Sequence, residues 1–360
     1  MRVRKIAGVG ATAAVSVGVA LTGAPAASAP PASPSSAGAA AAPAQAASGP
    51  VSLVGDFVGD GRDEVLNYIA GSGPDIMGSF ARAADGTVSM RTTPFQVNGT
   101  YRPVAGNFDG DAKDEVLWYG YGTAGDFLWN FTGPTTYTSR SLRIDGQFVP
   151  AAGDFDGNGV DDVFWYGPGA AADRIWHFAA DGTWRSGAQS VSGTYEPIVG
   201  SFGADATDDI LWYSVDPAGP DHLWDFTAGT TAHTSRALPV SRAYEPIPLD
   251  MWGDGAGGGD IFWYGPGTDP DYRWDFVPGG GIRSAADPVN GRYAPVAAGD
   301  FFADGSHDIL WFSYTQAAIS VWDHTVSGNT LYRTRVRLGF TEVSPPVEPQ
   351  QRTTTVVATR

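Results

Sequence analysis

The chain has 360 residues and a formal net charge of −17 at pH 7, and charged residues make up only 17% of it. Twelve Trp, 14 Tyr and 18 Phe supply enough apolar surface for a core, which excludes a chain that is disordered throughout. No cysteine is present, so disulfides, cysteine-ligated zinc and a cysteine nucleophile are excluded. The acidic balance disfavours nucleic acid and anionic lipid as partners and favours hard cations held by carboxylates.

The N-terminus has the features of a secretory signal peptide, which we predict over residues 1–29. Three basic residues lie within the first five positions, and an apolar run of small residues follows them. Small-x-small motifs allow cleavage after Ala26 or Ala29. The run is short and rich in Ala and Gly, which disfavours the alternative of an uncleaved membrane anchor. We therefore expect a secreted, extracellular protein.

Two low-complexity segments flank the remaining chain. Residues 30–50 consist almost entirely of Ala, Pro, Ser and Gly, which predicts a flexible linker. Residues 344–360 contain three prolines and a run of three threonines, which predicts a C-terminal tail. The sequence has no second long hydrophobic segment, so we expect no membrane insertion after signal cleavage.

Residues 51–343 contain one pattern written six times. The clearest part of each copy is Gly-Asp-Phe, a short acidic loop, two acids, an apolar pair and then Trp-Tyr. The copies recur every 47 to 51 residues, which is typical of a solenoid, a propeller or another repeat array. The second positions of the six copies are Asp56, Asn107, Asp154, Ser201, Asp250 and Asp300.

Each copy contains four short segments rich in aromatic or β-branched residues, separated by Gly, Pro and Asp. Asp85-Gly86 and Asp181-Gly182 stand where tight hairpins are needed. Four strands in a unit of about 48 residues are typical of a propeller blade, so we predict an all-β fold, a six-bladed β-propeller of four-stranded blades. Either an N-terminal strand near Val51 or the last strand, 332–340, could close the ring.

Aromatic residues recur at three positions of the repeat. We expect the two tryptophan rows to fill the gaps between blades, and sugar stacking is the alternative. The third position stands beside the blade-to-blade loops, where edge packing and partial exposure are both open. The first row is Trp118, Trp165, Trp212, Trp263 and Trp311; the second is Trp129, Trp176, Trp224, Trp274 and Trp322; the third is Tyr101, Phe148, Tyr195, Tyr244 and Tyr293.

The acidic loop of the third copy has the pattern of a calcium site. Oxygen-bearing side chains stand at loop positions 1, 3, 5 and 9, and a backbone carbonyl is available at position 7. Alternating oxygen ligands on a short curled loop suit Ca²⁺, which takes six to eight of them. A solvated turn is the alternative, because Asp, Asn and Gly favour turns in any case. The predicted ligands are Asp154, Asp156, Asn158, Val160 and Asp162.

The other five loops keep this pattern to different degrees, and we expect two good sites, two marginal sites and two lost sites. The second loop is also complete, with Asn107, Asp109, Asp111, Lys113 through its carbonyl, and Glu115. Val58 and Phe302 remove one ligand each from the first and sixth loops. Their remaining ligands are Asp56, Asp60 and Glu64 in the first loop and Asp300, Asp304 and Asp308 in the sixth. The degenerate loops keep Asp205 and Asp209 in the fourth copy and Asp250, Asp254 and Asp260 in the fifth.

The Gly-Asp-Phe, Asp-x-Asp-Gly-x-Gly-x-Asp-Asp and Val-x-Trp-Tyr units of residues 51–343 resemble FG-GAP/VCBS repeats. Such repeats form the calcium-binding propellers of integrin alpha subunits and of many exported bacterial proteins. The resemblance implies a propeller with calcium in the loops at one end, and it implies adhesion or ligand binding only loosely. Some sugar-binding propellers carry similar repeats, which keeps a lectin function open.

No sequence motif indicates catalysis. The histidines form no His-Glu-x-x-His motif, and a Gly-x-Ser-x-Gly elbow and a phosphate-binding loop are both lacking. His177 and His324 fall at or near the third-strand position that Asp225 and Asp275 occupy in other copies, so we interpret them as repeat variants.

We therefore predict an exported calcium-binding propeller that acts as a monomeric binding or scaffold module for a protein or glycan, with Ca²⁺ as cofactor and no catalysis. A lectin-like propeller is the first alternative. A carbohydrate-active enzyme with two carboxylates in the central channel is the second.

Overall fold

The computed structural model describes residues 51–337, apart from 121–123, 170, 204, 215, 217–218, 242, 254–258, 278–280 and 328–329. The predicted signal peptide (1–29), linker (30–50) and tail (344–360) lie outside the described residues. Among the described residues, no helix has the length and apolarity needed to cross a membrane.

The described residues form 24 strands in six sheets of four. The first three sheets contain β1 Val51–Gly55, β2 Glu64–Tyr68, β3 Asp75–Arg82, β4 Val88–Phe95; β5 Tyr101–Gly106, β6 Glu115–Gly120, β7 Asp126–Gly133, β8 Thr136–Leu142; and β9 Val149–Gly153, β10 Asp162–Tyr166, β11 Asp173–Phe178, β12 Trp184–Gln189. The last three contain β13 Tyr195–Gly200, β14 Asp209–Ser214, β15 His222–Phe226, β16 His233–Ala237; β17 Glu245–Leu249, β18 Asp260–Tyr264, β19 Tyr272–Val277, β20 Gly281–Ala286; and β21 Tyr293–Gly299, β22 Asp308–Ser313, β23 Ala318–Ser327, β24 Thr330–Arg337.

Each sheet is an antiparallel meander of four consecutive strands, and the six sheets are the blades of a β-propeller. The first strand of each blade contacts the first strands of both neighbouring blades, from β1 through β5, β9, β13 and β17 to β21 and back to β1. The first strands therefore line the centre of the ring. The predicted all-β, six-bladed fold is confirmed.

The ring closes by packing between complete blades. Of the described strands, the first, β1, lies in the first sheet and the last, β24, lies in the sixth, so neither of them completes a sheet begun at the other end of the described chain. At this seam, Val65 and Phe80 of the first blade share a core with Phe301 and Phe312 of the sixth. The rings of Phe80 and Phe301 lie 4.6 Å apart between centroids.

Burial decreases from the first and second strands of a blade to its fourth strand. Every residue of β6 is buried, whereas nearly every residue of β8 is exposed. Second strands are covered on both faces by adjacent blades, which explains why their sequences are continuous apolar runs rather than alternating ones. The hairpin predicted at Asp181-Gly182 is present, and Gly182 has a φ of +72°, which an L-residue rarely adopts.

The tryptophan rows are core, as predicted, except that Trp274 of the second row is only partly buried. All five tryptophans of the first row are at most 1% exposed, and those of the second row lie beside them, with Trp118 and Trp129 5.0 Å apart between ring centroids. The third row is divided, because Phe148 and Tyr293 are buried whereas Tyr101, Tyr195 and Tyr244 are only partly buried. Tyr195 therefore has a surface that a ligand can reach.

Candidate cation and ligand sites

The acidic loops join the first and second strands of each blade, and they form a circle of backbone hydrogen bonds around one end of the ring. The last loop residue of one blade donates its N–H to the carbonyl of the first loop residue of the preceding blade. Within the described loops these bonds are Asp114 to Asp56, Asp161 to Asn107, Asp208 to Asp154, Gly259 to Ser201, His307 to Asp250 and Asp63 to Asp300, at 2.7 to 3.1 Å.

In four of these blade-to-blade contacts there is a second hydrogen bond, which a backbone N–H donates to an aspartate carboxylate. Asp114 Oδ2 accepts the N–H of Asp56 at 2.7 Å, so the two residues are joined by a reciprocal pair of hydrogen bonds. The other three pairs are Asp161 with Asn107, Asp208 with Asp154 and Asp63 with Asp300, at 2.8 to 2.9 Å. The four aspartates whose carboxylates accept these bonds were not among the predicted ligands; they are Asp63, Asp114, Asp161 and Asp208. Their recurrence in the motif has a structural cause, which is to bind blade to blade.

The residue at loop position 1 is mainly engaged with its own loop. The carboxylate of Asp56 accepts the N–H groups of three loop residues at 2.7 to 3.0 Å. Asp154 and Asp300 each accept two such groups in the same way. Asn107 accepts one, from Gly110, at 2.7 Å. Position 1 thus folds the loop, whatever else it binds.

The second loop brings three predicted ligands together. Carboxylate oxygens of Asp109, Asp111 and Glu115 lie within 4.8 Å of one another. Glu115 is 1% exposed, its Oε2 accepts the N–H of Phe108 at 2.8 Å, and its Oε1 has no hydrogen-bond partner among the described residues. Burial, followed by the nearby charge of Asp109, raises the pKa of Glu115 to about 8. Hard oxygen ligands, mutual repulsion and a buried oxygen without a partner fit a divalent cation such as Ca²⁺, which these three residues would hold.

The side chains of Asn107 and Lys113, the two remaining predicted ligands of the second loop, contact other groups. The Asn107 amide donates to the carbonyl of Asp111 at 2.9 Å, so this side chain closes the loop. The Lys113 ammonium donates to the carbonyl of Phe131 at 2.7 Å and to Asn130 Oδ1 at 3.0 Å, and it lies 3.6 Å from Asp111. A cation at the three carboxylates would therefore have a lysine nearby.

In the third loop, basic side chains contact the predicted ligands. His177 Nδ1 lies 2.7 Å from Asp162 Oδ2 and 3.5 Å from Asp156 Oδ2. Arg185 also donates to Asp156, at 2.8 Å. Burial raises the pKa of Asp162 to about 6, although His177 beside it acts in the opposite direction. The two carboxylates are brought together, but with a histidine and an arginine already facing them.

These basic partners were not predicted from the sequence, in which His177 was interpreted only as a repeat variant. The third-strand position that His177 occupies faces the acidic loop in other blades too, where Asn130 and Asp225 contact or lie near loop acids. The variation at this single position was the available signal. Asn158 of the third loop also turns inward, accepting the N–H of Val160 at 2.7 Å and donating to the carbonyl of Phe178 at 2.9 Å.

The first and sixth loops meet at the seam of the ring. Burial, followed by the nearby charges of Asp56 and Asp60, raises the pKa of Glu64 to about 8. In the sixth loop, Arg82 from the first blade pairs with Asp304 at 3.4 Å, and its guanidinium lies 4.2 Å from the Phe302 ring centroid. Phe302 stands where the motif has an acidic ligand. Its ring packs against the Arg82 guanidinium, which pairs with Asp304 of the same loop.

The sixth loop has its buried acid at position 9. Asp308 Oδ1 accepts the N–H of His324 at 2.9 Å, and Oδ2 has no hydrogen-bond partner within the described part of the chain. Burial raises the pKa of Asp308 well above its ordinary value.

The fourth loop, expected to be lost, keeps Asp209 as a buried acid. Burial raises the pKa of Asp209 to about 8, and the charge of Asp225 in β15 adds to this effect. Asp209 Oδ2 has no hydrogen-bond partner among the residues that the structure describes.

In the fifth loop, Asp250 accepts the N–H of Gly253 at 2.6 Å, and Asp254 lies outside the described residues.

A second kind of site is a recess of about 190 Å³ in the fourth blade. Its walls come from β13 to β16 and from the segment that leads into β13, at the end of β13 opposite its acidic loop. The lining residues are Val191, Ser192, Tyr195, Trp212, His222, Trp224 and Ser235. Aromatic walls with a few polar groups are typical of small-molecule sites.

Comparisons with known proteins give no family and one distant structural similarity. No family model matches the chain, and no curated protein matches it. Among solved structures, the chain is similar to a mutant of Aleuria aurantia lectin in complex with alpha-methyl-L-fucoside, at 13% identity, over 75% of this chain and 92% of that one, with a TM-score of 0.42. Nothing about a ligand follows at this level of similarity. The six four-stranded sheets define the protein as a six-bladed β-propeller, and its resemblance to FG-GAP/VCBS repeats stays a prediction from the repeat motif.

Proposed function

We propose that the protein is an exported, calcium-binding propeller of FG-GAP/VCBS type that acts as a monomeric binding or scaffold module without catalysis. The observation that supports calcium is the cluster of Asp109, Asp111 and Glu115, in which a buried carboxylate oxygen lacks a partner among the described residues. A divalent cation would supply that partner and offset the repulsion among three carboxylates.

Calcium at this cluster would stabilise the contact between the first two blades. Glu115 begins β6, and Asp114 beside it forms the reciprocal hydrogen bonds with Asp56 of the first blade. A cation that orders the second loop therefore also orders the segment that binds the first blade. An acidic ring without disulfides gains stability from such neutralisation, and it then presents its surface to a partner as a rigid body.

The proposal is tested by thermal melting in calcium and in EGTA. Calcium binding only to the folded state stabilises by about 2.7 kcal/mol at a hundredfold excess over Kd, so we expect the wild-type Tm to be several degrees higher in calcium. Asp109→Asn should remove most of this difference, because it deletes one ligand charge. Asp145→Asn is the matched control, since Asp145 is exposed and pairs only with exposed Arg143 among described contacts.

Two results would refute the calcium proposal. The first is a wild-type Tm that is the same in calcium and in EGTA. The second is an Asp109→Asn variant that keeps the full calcium effect, which would place the cation elsewhere.

A lectin function is the second candidate, and the aromatic recess in the fourth blade favours it. A glycan array probed in calcium and in EGTA separates the candidates, because reproducible sugar binding favours the lectin. The third candidate, a carbohydrate-active enzyme, would be supported by polysaccharide turnover that is lost when carboxylates of the central channel are substituted.

A further inference from the structure

The recess lies beside a position at which the blades differ. In β15, His222 is paired with Trp212, and the residues in the same register of the second, third and fifth blades are Phe127, Arg174 and Tyr272. In all four blades this residue contacts the aromatic residue of the third row. The ring centroids of Tyr101 and Phe127, of Tyr195 and His222, and of Tyr244 and Tyr272 lie 6.4, 6.5 and 6.4 Å apart, and the guanidinium of Arg174 lies 5.1 Å from the Phe148 ring centroid. The imidazole of His222 is shorter, and the fourth blade has an open recess beside it.

The walls of the recess are aromatic and rigid. Trp212 is 1% exposed and packs edge to face against Trp224, with 5.3 Å between ring centroids, and Tyr195 lies 6.1 Å from Trp212. His233 stacks on Trp224 at 3.7 Å and is not part of the recess lining. The aromatic rings of the recess are therefore held in place by contacts with one another and with His233.

Among the described residues, the polar groups of the recess are few and consist mainly of the His222 imidazole and two serine hydroxyls. Ser192 and Ser235 are exposed hydroxyls at its edge. The Nε1–H of Trp212 is buried and has no hydrogen-bond partner among the described residues, and the same holds for the other four tryptophans of the first row, so this donor is a feature of the repeat rather than of the recess. Among the residues that the structure describes, no Asp, Glu, Lys or Arg lines the recess, which favours a neutral ligand.

We infer that this recess binds one pyranose ring of a neutral sugar. The C–H face of such a ring packs on indole and phenol rings, and its hydroxyls pair with the imidazole and the two serines. The volume of 190 Å³ is below the range of about 300–1,000 Å³ for drug-sized ligands, so it suits a single ring. This inference deepens the proposed binding function, but the recess lies away from the acidic loops and does not need calcium.

The test compares two histidine variants that copy residues found elsewhere in this propeller. His222→Tyr introduces the side chain that Tyr272 provides in the fifth blade, and it fills the recess. His233→Tyr introduces the one that Tyr137 provides in the second blade, where it stacks on Trp129 at 3.6 Å, and it leaves the recess open. Both variants should therefore fold, and equal melting temperatures check that they do.

The probe is a panel of methyl α- and β-glycosides of neutral hexoses, 6-deoxyhexoses and N-acetylhexosamines, measured by saturation-transfer NMR and tryptophan fluorescence. We expect at least one glycoside to bind the wild type and His233→Tyr alike, and to bind His222→Tyr at least about tenfold more weakly. Failure of every glycoside to bind the wild type would overturn the inference. Equal binding to His222→Tyr would also overturn it, because the sugar would then bind elsewhere.

The same titration in EGTA separates this inference from the calcium proposal. Sugar binding that persists in EGTA and is lost in His222→Tyr supports the recess, even if calcium has no effect on melting. A calcium effect on melting without sugar binding supports the calcium proposal and refutes the sugar site.

Discussion

At the scale of single residues, the tyrosine of each Trp-Tyr pair shows how a repeat motif acquires a structural function. The Tyr119 hydroxyl donates to the carbonyl of Gly146 at 2.7 Å and accepts the N–H of Phe148 at 3.2 Å. It thereby holds the segment that leads into the next blade. Gly146 has a φ of +137°, and a Cβ there would lie 2.5 Å from the Phe148 ring, so glycine is required at this turn.

Tyr119→Phe should therefore destabilise the propeller by about 1–3 kcal/mol, because the buried N–H of Phe148 loses its partner. Urea denaturation followed by tryptophan fluorescence measures the change. Tyr137→Phe is the control, since Tyr137 is 39% exposed. The prediction fails if the two variants have the same free energy of unfolding.

At the scale of elements, the acidic loop combines two tasks that sequence alone merges into one motif. Its position 1 folds the loop, and its last residue binds the preceding blade. Only the carboxylates at the other loop positions are then left to bind a cation. In the third and sixth blades, Arg185 and Arg82 face these carboxylates, and in the second blade Lys113 lies 3.6 Å from Asp111. Each of these three loops also has a buried carboxylate oxygen without a partner among described residues.

Asp114→Ala should separate these tasks. It removes the acceptor of the buried N–H of Asp56, and we expect a loss of about 1–3 kcal/mol in calcium and in EGTA alike. Asp145→Ala removes the same charge at an exposed site and should change the stability little. A loss seen only in calcium would instead assign Asp114 to the cation site.

At the scale of the whole molecule, the ring gathers buried acids at one end. Without a bound cation, burial raises the pKa of Glu64, Glu115 and Asp209 to about 8 each, the first two from 4.5 and the third from 3.8. The folded state then binds protons that the unfolded state has already released. Stability is therefore greatest at the acidic end of this range and decreases as the pH rises.

In calcium-free buffer we accordingly expect the Tm to fall by several degrees between about pH 5 and pH 8, the window set by the unfolded and folded pKa values. Calcium should reduce this fall, because it stabilises the ionised carboxylates. Asp85 and Asp181, whose pKa values are lowered by hydrogen bonds from Thr87 and Thr183, titrate below the window. A calcium-free Tm that rises from pH 5 to pH 8 would contradict the assignment.

Much of the fold could be predicted because its information is local and repeated. A period of 47 to 51 residues with four strand segments per copy specifies a blade, and six copies specify the ring. The tryptophan rows were predicted as core for the same reason, since a large residue at an equivalent position in every blade must fill an equivalent gap. The acidic loops were found from their alternating oxygens, whereas metal binding itself is still a prediction.

The sequence by itself thus determined the blade, the number of blades and the location of the acidic loops, because each depends on residues within one repeat. The tertiary structure alone decided how the ring closes, that Asp114 binds Asp56, and that Arg185 and His177 face Asp156. It also revealed the recess beside His222. These features depend on contacts between strands and between blades, so they arise only once the repeats are packed against one another.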